Sequence, residues 1–177
     1  MEFFKENGFK IEKREGMDIC VKLSDITSNR ALMSKKFPKD ITPLSKMELL
    51  QFRQGISNCL FSGVTGICED LALLPKEWYD EDVSCAFVDG ECATGFFLVH
   101  MLPDGSVMPV LLFASGVDSK RNILNMLRYA TLAASQKYEK DSSIIVRRHE
   151  DRTRKLAQYL FPEARGRAVN AGEREES

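Results

Sequence analysis

The stretch "FASGVDSKRNIL", residues 113–124, holds the residues best spaced for chemistry. An apolar run, Val110–Phe113, leads into a turn with one glycine, Gly116, and the turn opens a long helical pattern. A strand, a glycine turn and a helix start together present unpaired backbone N–H groups, and a phosphate is their usual guest. Two cations follow at once, Lys120 and Arg121. Side-chain charge at a helix N-terminus adds charge-assisted hydrogen bonds to those of the amides. The same residues have a plainer reading, in which Asp118 or Ser119 caps the helix and Lys120 and Arg121 are solvated. The sequence leaves both open.

Other reactive residue types are sparser. "EWYDED" (77–82) sets four acids around Trp78 and Tyr79. Such a patch attracts a cationic amine through charge and aromatic faces, or is simply a solvated loop anchored by Trp78. His100 lies in a strand-like run and His149 follows another. Neither has a neighbouring Cys or Ser motif, so both read as structural. The five cysteines (Cys20, Cys59, Cys68, Cys85, Cys92) form no C-x-x-C pair, which argues against a zinc site and a disulfide framework. Reduced thiols in a cytoplasmic protein, with no metal, are the expectation.

The bulk numbers narrow the class. A net charge of −1 offers no field for nucleic acid or an anionic membrane. The mixed-sign run "RRHEDRTRK" (147–155) reads as an exposed helix start, and not as a nucleic-acid patch. The longest apolar run, near Val107–Ala114, contains Pro109 and is too short to cross a bilayer. "MEFFKENGF" has no signal-peptide core. At 177 residues the expectation is one domain with an appendage.

The elements that must hold the turn follow from periodicity. Phe9–Lys13 and Asp18–Leu23 alternate on either side of "REGM", which predicts an N-terminal hairpin over residues 1–24. Residues 25–44 read as a connection with a short helix near Asn29–Lys35. Ser45 and Glu48 fit a capping box before a helix at about 46–61. A further short helix is expected at 67–74. "VSCAFV", "ECATGFFLVHM" and "SVMPVLLFA" are three strands joined by Asp89-Gly90 and Asp104-Gly105, an antiparallel meander. The third feeds the turn. A helix follows from Ser119 to about Tyr138, with Ile123, Met126, Leu127, Ala130 and Ala134 as its apolar stripe, then a strand at "SSIIVRR" and a helix at Asp151–Leu160. This β-α-β crossover requires Ser143–Val146 to run parallel to Val107–Phe113. The fold class is α+β, a mixed sheet, with the domain at 45–170 and a disordered tail at 171–177.

That order of elements, with those motifs, resembles the GNAT superfamily of acyl-CoA N-acyltransferases over roughly residues 45–165. "FVDGECATGFFLVHMLPDGSVMPVLLFASG" is similar to its central meander, "SKRNILNMLRYATLAA" to the helix after its pyrophosphate loop, and "IIVRRHEDRTRKLAQYLFP" to the next strand and helix. "FFKENGFKIEKREG" is similar to the end of a preceding GNAT domain, with Phe4 where tyrosine is usual. The chain thus looks like the tail of one domain followed by most of another. A tandem GNAT domain or a homodimer is the implied partner, along with a small-molecule or peptide amine acceptor.

The resemblance implies acetyl-CoA or another acyl-CoA as co-substrate. The family's Arg/Gln-x-x-Gly-x-Gly/Ala loop falls on Gly116, Val117, Asp118, Ser119, Lys120 and Arg121. Gly116 replaces the Arg or Gln, Ser119 the first glycine and Arg121 the small residue, and Asp118 adds a negative charge. The acyl carbonyl would meet backbone amides at Leu112, Phe113 and Ala114. A tyrosine on the last helix often serves as acid. Here Leu156 and Ala157 occupy the expected places and Tyr159 is the only phenol on that helix. No acid lies in Ser106–Phe113 to act as base. The alternative to a catalyst is a non-catalytic module of the same fold with a degenerate CoA loop.

Overall fold

The computed structural model describes the backbone of residues 9–61, 74–90 and 92–174, and the side chains of 15–61, 74–90 and 92–167. The chain runs β1 (Phe9–Lys22), α1 (Leu23–Ser28), β2 (Ile41–Pro43), α2 (Leu49–Phe61), β3 (Cys85–Asp89), β4 (Cys92–Met101), β5 (Val107–Ala114), α3 (Ser119–Lys137), β6 (Ser143–Val146), α4 (Asp151–Leu160) and β7 (Gly166–Arg174). It is a mixed α/β protein. The helix expected at 67–74 falls almost wholly outside the described residues, as does Cys68. The chain divides into two compact units, one of Val21–Ile145 and one of Met1–Cys20 with Val146–Ser177.

In the larger unit the strand order is β2-β3-β4-β5-β6. The meander forms as its turns predict. β3 and β4 pair antiparallel from Cys85↔Phe97 to Asp89↔Cys92, and β4 and β5 from Gly95↔Ala114 to Met101↔Val107. Gly90 and Gly105 turn the chain at φ 62° and 80°, values that favour glycine. β6 pairs parallel with β5, as the crossover requires.

Residues Gly95–Val99 of β4 are buried in succession, which an alternating strand achieves only when both faces are covered. On one face α2 packs Phe52 and Ile56 against Phe96 and Leu98. Phe52 meets Phe96 edge-on at 5.9 Å between ring centroids. The helix approaches so closely that a Cβ on Gly55 would stand 2.6 Å from Phe96 Cζ and 2.9 Å from Ala93 Cβ. On the other face α3 buries Met126, Tyr129, Ala130, Ala133 and Ala134, and the Cys85 thiol donates to Met126 O at 3.7 Å. Ile123 and Leu127, expected in the stripe, are half-buried, and Asn122 lies in the buried set.

Two helix starts differ from expectation. Asn29 Oδ1 accepts the N–H of Ala31 at 2.9 Å, a local turn that competes with helix, so the early helix is Leu23–Ser28 and not Asn29–Lys35. Ser45 lies in a 3-10 turn, Leu44–Lys46, and makes no capping box with Glu48; α2 begins at Leu49.

The smaller unit corrects the N-terminal hairpin. β1 is one strand of 14 residues, paired antiparallel with β7 from Phe9↔Arg174 to Glu15↔Ala168 and again at Ile19↔Gly166. A tight hairpin needs positive φ in its turn. Among the described residues only Gly90, Gly105 and Gly116 have it, so Gly16 bulges the strand where a reversal was expected. Arg148 holds the bulge by donating from Nε to Met17 O at 2.7 Å and from Nη2 to Gly16 O at 3.3 Å. His149 Nε2 meets Asp18 Oδ1 at 3.1 Å. The same pairing corrects the disordered tail, since residues 171–174 belong to β7.

Candidate functional site

Three features shape the turn between β5 and α3. Gly116 adopts φ 86°, and a Cβ there would meet nothing within 4 Å. Its requirement for glycine is therefore conformational and not one of space. Ser115 anchors the turn to β4, with its N–H and its hydroxyl both donating to Thr94 O, at 2.9 and 3.0 Å. Asp118 is the N-cap of α3 but makes no side-chain cap bond; its carbonyl accepts the N–H of Asn122 at 3.0 Å. Val117, Asp118, Lys120 and Arg121 are exposed, Val117 completely, and Ser119 is half-buried. Lys120 and Arg121 form no ion pair among the described residues. A helix of 19 residues thus starts at an open turn, with amide groups and two cations facing solvent.

Behind the turn, Leu112, Phe113 and Ala114 pair with Phe97, Phe96 and Gly95 on one side. A Cβ on Gly95 would lie 2.9 Å from Phe113 O and 3.1 Å from Ala114 Cβ, so the two strands approach tightly here. On the other side the parallel ladder to β6 consists, among the described residues, of the single pair Val107↔Ile144 at the start of β5. The strand runs on to Ala114 without a further partner from β6. Leu112–Ala114 and Gly116–Arg121 form one continuous segment, in which Leu112–Ala114 pair with β4 and have no ladder partner in β6 among the described residues. Tyr159 lies on α4 in the smaller unit, 77% exposed.

Asp80 and Asp82 are committed to the opposite end of α3, about 28 Å from the turn at 1.5 Å per residue. Asp80 Oδ1 accepts from Lys137 Nζ at 2.8 Å and from the N–H groups of Asp82 and Val83, both at 3.2 Å. Its other oxygen takes the Tyr138 hydroxyl. Burial alone would raise the Asp80 pKa; the bonds from Lys137, Tyr138 and Val83 and the Lys137 charge outweigh it and hold the carboxyl below its ordinary value. Burial, with the nearby acids, pushes the Tyr138 phenol up. Asp82 reaches Lys137 at 2.9 Å, and Glu81 reaches Lys76 at 3.0 Å. His100 stacks on Trp78 at 3.5 Å and 2°, and its Nδ1 lies 2.8 Å from Trp78 O. The shallow depression over these residues is the surface of a satisfied network, set at the wrong end of the helix to serve chemistry at Leu112–Ala114.

The sequence reading missed Asn122 and the Asp80–Lys137–Tyr138 cluster. Asn122 was detectable, because it stands four residues before Met126 and so on the same helical face. The cluster joins residues 57 and 58 apart in sequence, for which periodicity carries no signal. Among the described residues no group of three His, Cys, Asp or Glu side chains could hold a metal ion.

A scan against protein-family models found no match, and a search of curated proteins found none. One solved structure, of a functionally unknown conserved protein from Staphylococcus epidermidis ATCC 12228, is similar at a TM-score of 0.49 and 12% identity. The likeness covers 97% of this chain and 62% of that one, so this chain spans less than two-thirds of its length. Among the described residues no helix is long and apolar enough to cross a membrane.

Proposed function

We propose that this chain carries a GNAT-like acyltransferase domain, in which the turn at 115–121 takes the phosphates of an acyl-CoA and an amine is acylated beside Leu112–Ala114. One observation carries the reading: β5 leads through an open positive-φ turn into a long helix, and the chain returns as a parallel strand paired, among the described residues, only at Val107↔Ile144. That arrangement leaves helix-terminal amides for an anion and strand amides for a carbonyl within one segment. The amine nitrogen attacks the thioester carbonyl and forms the C–N bond. The C–S bond breaks, and the thiol leaves with the proton that the amine gives up. Orientation and carbonyl polarisation by the backbone are the chain's contribution. The cytosol, where acyl-CoA and reduced thiols coexist, is the compartment this reading requires.

The residues of the turn favour a second reading, a non-catalytic module. Ser119 and Arg121 stand where close backbone approach calls for small residues, and Val107–Ala114 holds no acid. Titration calorimetry with acetyl-CoA decides. Binding that Arg121→Glu weakens at least tenfold, about 1.4 kcal/mol, supports the first reading. Absence of binding at millimolar acetyl-CoA favours the second.

A further inference from the structure

The edge strands β2 and β7 are protected very differently. β2, in the larger unit, is three residues long and ends in Pro43. Shortness and proline both deny an incoming strand its hydrogen bonds. β7, in the smaller unit, runs for nine residues, Gly166–Arg174, and among the described residues pairs only with β1. The backbone groups of successive strand residues point to opposite sides, so about half of those of β7 face away from β1. The sequence does little to blunt that edge. It holds no proline, and its middle, "AVNAG" (168–172), carries no charge. The charges stand toward the ends, Arg167 at one and Glu173 and Arg174 at the other. Pairing through such an edge is how extended segments add to a sheet.

We propose that β7 is a homodimer interface: two copies of this chain pair antiparallel through the outer edges of β7, about a two-fold axis at Asn170. Residue 170 is the midpoint of the strand, so this register overlaps all nine residues. It sets position 167 opposite position 173 of the second copy, which brings Arg167 and Glu173 together, and by symmetry does so twice. Between them Val169 stands opposite Ala171 of the second copy. Opposite charges directly across an antiparallel pair are favourable and like charges are not. Parallel pairing in register would oppose Arg167 to its own copy and Glu173 to its own copy. The strand is therefore complementary to itself in the one sense that a closed, isologous dimer requires. The inference is independent of the acyl-CoA reading, because β7 takes no part in the turn at 115–121.

Sedimentation equilibrium of the full chain at micromolar concentrations should show a monomer–dimer equilibrium. Arg167→Glu should weaken the dimer about tenfold, because two opposite-charge pairs become two like-charge pairs. Glu173→Arg should do the same, and the double variant should return to within about threefold of the native chain. Positions 167 and 173 lie about 20 Å apart along one strand, so only pairing between copies lets each change rescue the other. Glu173 also stands opposite Lys10 of β1, and a variant there could fail to fold. Asn170→Cys leaves every charge in place. Mild oxidation of that variant should join the two copies through the introduced cysteines, identified by peptide mass, whereas Ala168→Cys, opposite position 172 of the second copy, should not cross-link to itself. A chain that is monomeric at every concentration overturns the proposal. So does a dimer that either ignores the single charge reversals or is not restored by the double one, and so does failure of Asn170→Cys to cross-link.

Discussion

The two ends of α3 make opposite use of charge. At the C-terminal end Lys137 and Tyr138 meet Asp80, whose side chain is 5% exposed and also accepts two backbone N–H groups. At the N-terminal end Lys120, Arg121 and Asp118 face solvent, and the cap side chain makes no bond. Charge that is partnered within the fold stabilises the fold. Charge held out on a positive-φ turn beside unpaired amides contributes little to stability and is available to a ligand. The acid-rich stretch is the structural end of the helix, and the count of acids alone does not reveal that.

Substitutions can break this comparison. The largest effect is expected from Asp80→Ala, which leaves Tyr138 and two N–H groups without their acceptor and Lys137 with Asp82 alone. It should cost about 3 kcal/mol in urea denaturation and leave acetyl-CoA affinity unchanged. An acid titration sharpens the point. Folding lowers the Asp80 pKa, so its contribution is complete above the ordinary value of 3.8 and is lost as pH falls through the lower folded value. The stability gap between the native chain and Asp80→Asn should therefore hold at neutral pH and close only below that range; a gap that closes near neutrality would refute the assignment.

Next in size comes Arg121→Glu, with a tenfold loss of acetyl-CoA binding, about 1.4 kcal/mol, and stability changed by less than about 0.5 kcal/mol. If stability falls as far as in Asp80→Ala, the two ends of the helix are alike and the contrast fails. The smallest effect is Gly116→Ala. The space is open but φ is 86°, so about 1 kcal/mol of backbone strain should appear in thermal melts. A neutral result would show that the turn relaxes, and that its amides are not held for a ligand.

Local chemistry made much of the fold legible. Asp89-Gly90 and Asp104-Gly105 announce their turns, and the apolar run of β5 followed by the α3 stripe announces the crossover. The errors arose where distant partners override local pattern. The alternation about Gly16 suits a hairpin, but β7 and Arg148 draw the segment into one bulged strand. Ala168-Val169 offered little strand signal alone and pairs because β1 lies opposite. At the site, the turn was legible from one glycine and two cations. The brevity of the ladder between β5 and β6 was not, because register between parallel strands leaves no trace in either strand's own residues.

The close approach of α2 to β4 has a consequence for substitution. With Phe96 in place, residue 55 has no room for a methyl group. With glycine at 55, the Phe96 ring fills the space that a side chain would have taken. A larger residue at 55 is overpacked against both Phe96 and Ala93, so a smaller residue at 96 relieves only part of the crowding. Two positions 41 places apart in the chain are thus bound by a single contact, and a change at 55 is felt at 96.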